Sequence, residues 1–226
     1  KPISPVIERG GGKVMIMEEQ ARKTFVLEGG QFDRIGAEVQ ADTPAVLPAF
    51  GERPRNRLGL SQWLLAEENP LMARVTVNRI WQQFFGIGLF KSPDNLGLQA
   101  EVPSHPQLLD YLAADFREQD WDLHQLIRNI VLSATYRQDS THRPELEDPD
   151  NRLLARGPSF RLPAEMIRDQ ALFASGLLTQ KAGGPPVFPY QPEGIWEDLN
   201  APKSHVEYYV ESEGEDLYRK SMYTYW

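Results

Sequence analysis

Arg161, Glu165, Arg168 and Asp169 are the densest set of chemically capable side chains in the sequence. Arg161 and Glu165 stand four residues apart, as do Glu165 and Asp169, and Glu165 and Arg168 stand three apart, so one helix face could carry all four. Two carboxylates flanked by two guanidinium groups suit acid–base work, or the gripping of an anionic or sugar ligand. The same stretch is apolar at Leu162, Met166 and Ile167. A charge buried among such residues must be paired, because an unpaired one costs on the order of several kcal/mol. A structural ion-pair network is the plainer reading, and the residues alone leave both open. Arg79, beside Ile80 and Trp81, is another guanidinium in aromatic surroundings, and His105 is a proton carrier at the start of a helix. The catalytic candidates are therefore Glu165, Asp169 and His105, and the binding candidates are Arg79, Arg161, Arg168 and Trp196.

Other chemistries find less to work with. His105, His124, His142 and His205 never pair at the i, i+4 spacing of a zinc helix, so no metal site is read from spacing. There is no cysteine, which removes thiolate catalysis, zinc thiolates and covalent haem attachment from this chain. No nucleophile elbow or dinucleotide-binding glycine pattern occurs. Gly183-Gly184-Pro185-Pro186 reads as a rigid turn. Glu147-Asp148-Pro149-Asp150-Asn151 clusters hard oxygen donors that could attract calcium. An acidic capping turn before Leu153 explains the same residues.

The elements that must position these groups are mostly helical. Residues 1–12 read as a linker, followed by strands at 14–17 and 24–27 and an extended piece over about 38–47 whose prolines keep it at an edge. Arg53-Pro54-Arg55-Asn56-Arg57 is a basic hinge, either solvated or an anion site. Leu60, Trp63 and Leu64 then recur at helical spacing. Asn69-Pro70 opens a helix to about Phe85, ended by Gly86. Ser104 is expected to cap the next helix and Asp122 the one after, which runs to about Ser133; Pro163 opens another to about Ser175, with Gly176 as its stop. The expected fold is mainly α: an orthogonally packed multi-helix domain over residues 51–182, a small β appendage within 1–50, and an irregular aromatic-rich segment over 183–226. Trp63, Ile80, Trp81, Leu109, Leu112, Ile127, Ile130 and Ile167 should form the core. Aromatic residues in the last 40 positions could stack on sugar rings or plug into a neighbouring domain.

Composition limits the partners. A net charge of −8 on 226 residues repels phosphate backbones, so broad nucleic-acid binding is not expected. No apolar run approaches the roughly 18 residues that span a bilayer. The aromatic end, Ser221 to Trp226, suggests a fragment of a longer chain.

Several long segments carry a resemblance. Asn69-Pro70-Leu71 with Val77 through Leu89, Pro103-Ser104-His105-Pro106 with Leu108-Leu109-Asp110, Ser133 through Gln138, and Asp150 through Leu154 are four of them. Arg161 through Asp169, Gly183 through Val187, Tyr190 through Glu197 and Leu217 through Ser221 are the others. Together they resemble the planctomycete cytochrome-associated family, domain of unknown function 1553. The resemblance runs from about residue 14 to Trp226 and implies that the family domain is truncated at its C-terminus here. It implies a setting more than a reaction: a large, exported multidomain parent whose haem sits in another domain, with this chain holding no cofactor. The partners so implied are the other domains of the parent and polysaccharide. The expected role is a scaffold or interaction module, with an enzyme domain acting on carbohydrate through a Glu/Asp/Arg/His cleft as the alternative.

Overall fold

Glycine and proline punctuation divides this chain into short capped helices, and the computed structural model shows them where periodicity places them. It describes residues 23–95, 99–145, 147–192 and 209–225. The expected strand at 14–17, Trp196 and His205 lie outside the described residues. The described chain is mainly α, with a small β appendage. It packs as two units, Lys1–Pro158 and Ser159–Trp226.

The first unit opens with an antiparallel pair, β1 (Thr24–Leu27) and β2 (Ile35–Val39), turned through Gly29 and Gly30 at positive φ. The second strand starts earlier than the sequence suggests and stops at Val39. Beyond it Asp42 and Pro44 close local turns, through Thr43 N–H to the Asp42 carboxylate and Leu47 N–H to the Pro44 carbonyl. Helix α1 (Arg57–Leu64) is capped by Asn56, whose side chain accepts the Gly59 N–H at 3.0 Å. Gly59 is obligatory there: a Cβ would sit 1.9 Å from the Pro54 carbonyl oxygen.

Helix α2 (Leu71–Phe85) is the centre of this unit. Asn69 accepts the Leu71 N–H, which fulfils the expected start, and Gly86 ends the helix at φ 79. α2 packs on α3 (Pro106–Glu118), and both pack on α4 (Leu123–Leu132). Val77, Trp81, Leu89, Leu109, Leu112, Phe116, Leu126 and Ile130 fill the shared interior, joined by Ala73 and Ala113. Trp81 stacks on Phe85 with centroids 4.0 Å apart. Trp63 is buried apart from this cluster, against Phe50, and its indole N–H donates to the Pro48 carbonyl. Ile80 and Ile127 are half-buried.

Asp122 caps α4 as expected, accepting the His124 and Gln125 N–H groups. Ser104 does not cap α3. Its N–H donates to the Leu89 carbonyl at 2.9 Å, and His105 takes the cap position without a side-chain bond to the helix. The loop that α2 runs into outcompetes the helix for Ser104.

In the second unit, α5 (Ala164–Ala174) ends at Gly176 (φ 75), where Leu177 and Leu178 N–H groups both return to the Leu172 carbonyl. Among the described residues of this unit, chain at 159–163, 177–192 and 209–225 forms the rest, tied by single parallel bridges between Thr179 and Arg219 and between Val187 and Thr224. Ile167, expected in the core, is 47% exposed, and no residue of α5 is buried.

Candidate functional site

Arg168 and Asp169 sit on consecutive positions of α5 and both turn toward the chain at 217–221. The Arg168 guanidinium donates to the Arg219 carbonyl (2.8 Å), the Leu217 carbonyl (2.8 Å) and Ser221 Oγ (3.2 Å). Asp169 Oδ1 accepts from both the Ser221 N–H (2.8 Å) and the Ser221 hydroxyl (2.7 Å). The two side chains also lie 3.6 Å apart as an ion pair. This is a staple: charged groups of a helix satisfy the backbone of an irregular segment that has no ladder of its own.

A second cation sits behind the staple. Arg219 is fully buried. Its guanidinium donates to the Pro185 and Lys181 carbonyls at 3.1 and 3.4 Å and to the Gly183 carbonyl, and it lies 4.2 Å from the Tyr223 ring centroid. Tyr223 in turn accepts the Gly183 N–H. The Gly-Gly-Pro-Pro turn is thus a carbonyl cup around a guanidinium: its prolines lack N–H groups, and its glycines, at φ 72 and 95, let the chain curl. Beside it, Phe188 packs against Tyr209 and Tyr225. Burial raises the Tyr209 phenol above its ordinary value, opposed by a hydrogen bond with Gln191. Its hydroxyl donates to the Pro189 carbonyl. Among the described aromatic residues of this segment, Phe188, Tyr209 and Tyr225 are spent on one another, whereas Tyr190 is 72% exposed.

The outward side of α5 is different in kind. At 100° per residue, Arg168, Asp169 and Leu172 share one side of α5, Met166 and Phe173 share a second, and Ile167 points away from both, while Leu177 lies beyond the helix, after Gly176. Met166, Ile167, Phe173 and Leu177 are 46%, 47%, 70% and 51% exposed.

The first unit holds an open cavity of about 330 Å³, lined by Phe50, Leu60, Ala41, Thr43, Asp42 and the Arg55–Arg57 stretch. The basic hinge is therefore a cavity wall. Arg55 is anchored on one side only: Nη1 meets Asp42 Oδ1 (2.7 Å) and the Ala41 carbonyl (2.8 Å), while its carbon centre lies 4.8 Å over the Phe50 ring. The Arg55 hydrogen bond, with the Thr43 N–H, holds the Asp42 carboxyl below the usual carboxylate range.

A family model described as a protein of unknown function, DUF1553, matches residues 56–226. The chain belongs to this family. No curated protein and no solved structure matches it. The DUF1553 match contains every catalytic and binding candidate named from the sequence, from Arg79 to Trp196. The β pair and five of the eight cavity-lining residues, including Asp42, Phe50 and Arg55, precede it.

Of those DUF1553 residues, Arg168 and Asp169 are brought together as described. Glu165 and Arg161 are exposed, and among the described residues Arg168–Asp169 is the only ion pair formed within the quartet. Arg161 precedes α5, which begins at Ala164, so the helical spacing that linked it to Glu165 does not apply. Arg79 projects from α2 into solvent, 3.9 Å from the exposed Asp94, and His105 Nδ1 lies 3.1 Å from Ser104 Oγ. Arg79 and His105 belong to the first unit, Glu165 and Asp169 to the second.

The acidic turn is also internal. Both Asp148 oxygens accept backbone N–H groups, from Arg152 (2.6 Å) and Leu153 (2.8 Å), and Asn151 and Leu154 take positive φ around them. Among the described residues no three His, Asp or Glu side chains are grouped to hold a metal ion. Covalent haem has no attachment residue here, because the chain contains no cysteine. Sequence reasoning missed Arg152, whose guanidinium binds the Gly88 and Leu89 carbonyls, and Arg219. For Arg219 a signal existed, in the polar Arg219-Lys220-Ser221 between aromatic residues and in an upstream turn rich in carbonyls without N–H groups.

Proposed function

We propose that this DUF1553 chain is a non-catalytic docking module that presents the outward face of α5 to another domain of its parent protein. The observation that carries this reading is a helix held by its charged side with its apolar side left open. Met166, Ile167 and Phe173 are exposed on a helix of which no residue is buried, and Leu177 is exposed just beyond its Gly176 stop. A contiguous apolar face on a folded protein marks an interaction surface more often than chance. Its chemistry favours a polypeptide over a sugar. Phe173 alone of these side chains offers a flat ring on which a pyranose could stack, whereas methionine, isoleucine and leucine are flexible or branched and interdigitate well with a facing helix or sheet. The enzyme alternative needs Glu165 and Asp169 to share a substrate, and Asp169 already serves Ser221.

The family resemblance supplies the setting of the proposal: an extracytoplasmic, cytochrome-associated multidomain parent, with haem in a different domain. Met166 provides the test. Hydroxyl-radical footprinting should oxidise Met166 readily in the isolated chain and several-fold more slowly in the parent protein. Phe173→Asp should restore that reactivity in the parent while leaving the unfolding midpoint of the isolated chain unchanged. Equal Met166 oxidation in chain and parent would dispose of the docking reading.

A further inference from the structure

The cavity of the first unit is independent of α5, and its walls are of two kinds. Phe50, Leu60 and Ala41 make an apolar floor, and Arg55, Arg57, Asp42 and Thr43 bring polar groups to it. The lining carries both signs, with Arg55 paired to Asp42. Its volume, about 330 Å³, falls at the lower end of the range in which small-molecule sites occur. The disposition of Arg55 adds direction. Only Nη1 is engaged by the described residues, with Asp42 and Ala41, and the Phe50 ring fixes the guanidinium plane. The opposite edge, Nε and Nη2, keeps two parallel donors, the fork that matches a carboxylate. Holding one edge on Asp42 removes much of the rotamer freedom that Arg55 would otherwise lose on binding. Thr43 has a hydroxyl beside it, and its own N–H is already satisfied by Asp42.

We propose that this cavity binds a small monocarboxylate with an apolar body: the carboxylate on the free edge of Arg55, the body against Phe50 and Leu60. A purely inorganic anion would leave the apolar floor unused, and a neutral apolar molecule would leave the Arg55 fork unmatched.

The whole chain is titrated calorimetrically with sodium octanoate, with octanol and with inorganic phosphate. Octanoate binds saturably with a Kd below about 1 mM, as expected for a ligand of its size in a preformed apolar site. Octanol and phosphate bind at least about tenfold more weakly, the factor carried by one charge-assisted hydrogen bond or by the apolar body. Leu60→Trp, a change at a position 43% exposed and so tolerated by the fold, fills the cavity and abolishes octanoate binding. Arg55→Met weakens octanoate at least about tenfold and leaves octanol unchanged. Octanoate that fails to saturate overturns the proposal. So does octanol binding as tightly as octanoate, or phosphate binding as tightly as octanoate and surviving Leu60→Trp.

Discussion

The two units of this chain place grease and charge in opposite ways. In the first, α2, α3 and α4 bury their apolar stripes against one another, and charges such as Arg79, 63% exposed at its side chain, look outward. In the second, α5 turns its charged side inward, where Arg168 and Asp169 hold the 217–221 segment, and leaves its apolar side in solvent. Arg219, also charged, is fully buried in that same unit. The difference teaches that a helix can be fixed by hydrogen bonds to irregular backbone when that backbone has carbonyls to satisfy. The fixed helix then keeps an apolar face for something else.

That contrast can be broken first at Arg219. Arg219→Met keeps the volume and removes the guanidinium from the Pro185, Gly183 and Lys181 carbonyls. The expected loss is about 3–5 kcal/mol, because buried polar partners are stranded. Hydrogen exchange should show it in α5 and the 179–192 chain, with α2 and α3 still protected. Uniform loss of protection through both units would mean that they do not fold as separate cooperative bodies. Next comes a matched pair of truncations. Leu109→Ala, at a site 1% exposed, should cost about 2–5 kcal/mol in denaturant unfolding. Phe173→Ala, at a site 70% exposed, should stay within about 0.5 kcal/mol of the parent chain. A large loss at Phe173 would show that the outward face of α5 is structural.

Smaller, and confined to the first unit, is Gly88→Ala. Asn78 of α2 holds the following loop through paired bonds with Phe90, its Oδ1 accepting the Phe90 N–H and its Nδ2 donating to the Phe90 carbonyl. A Cβ on Gly88 would come within 2.5 Å of the Phe90 oxygen and 2.6 Å of Asn78 Nδ2. Overpacking of this kind costs about 1–3 kcal/mol, and urea unfolding followed by tryptophan fluorescence measures it.

Legibility followed the same division. The helices of the first unit could be read from the sequence because their signals are local: Asn69-Pro70, Asp122 and the spacing of Val77, Trp81, Leu109 and Ile130 all act within a few residues. Ile167 misled because periodicity identifies an apolar stripe without saying which way it points. The orientation of α5 is decided by bonds spanning 49 to 53 residues, from Arg168 and Asp169 to the 217–221 segment. Nothing in the spacing of Arg161 to Asp169 encodes that partner. Ser104 failed as a cap for a related reason, since Leu89, fifteen residues away, claims it. The cavity was half visible, as a basic hinge at 53–57; its apolar floor comes from residues scattered over 41–60.

The smallest effects should separate the units by pH. In the first unit Asp42 and Asp139 have lowered carboxyl values, Asp42 chiefly through Arg55 and Asp139 through the Thr141 N–H and hydroxyl. A depressed folded value means stability that is present above the ordinary carboxylate value, near 4, and is lost as pH falls through the folded one. In the second unit Tyr209 is raised by burial, so its contribution is present below the ordinary phenol value, near 10, and is lost as pH rises through the folded one. Hydrogen exchange or near-ultraviolet circular dichroism against pH should therefore show α1 and the cavity loosening first in acid, and the Phe188–Tyr209–Tyr225 cluster loosening first in alkali. Asp42→Asn should flatten the acid limb without touching the alkaline one, and Tyr209→Phe should do the reverse. Because Asp42 is exposed and its lowered value comes chiefly from a charged partner, Arg55, salt should shrink its share of the acid effect, while the alkaline effect, which comes from burial, should persist in high salt. If one substitution moves both limbs, the two units share a single titrating transition, and the contrast between them fails as a description of how the chain is held together.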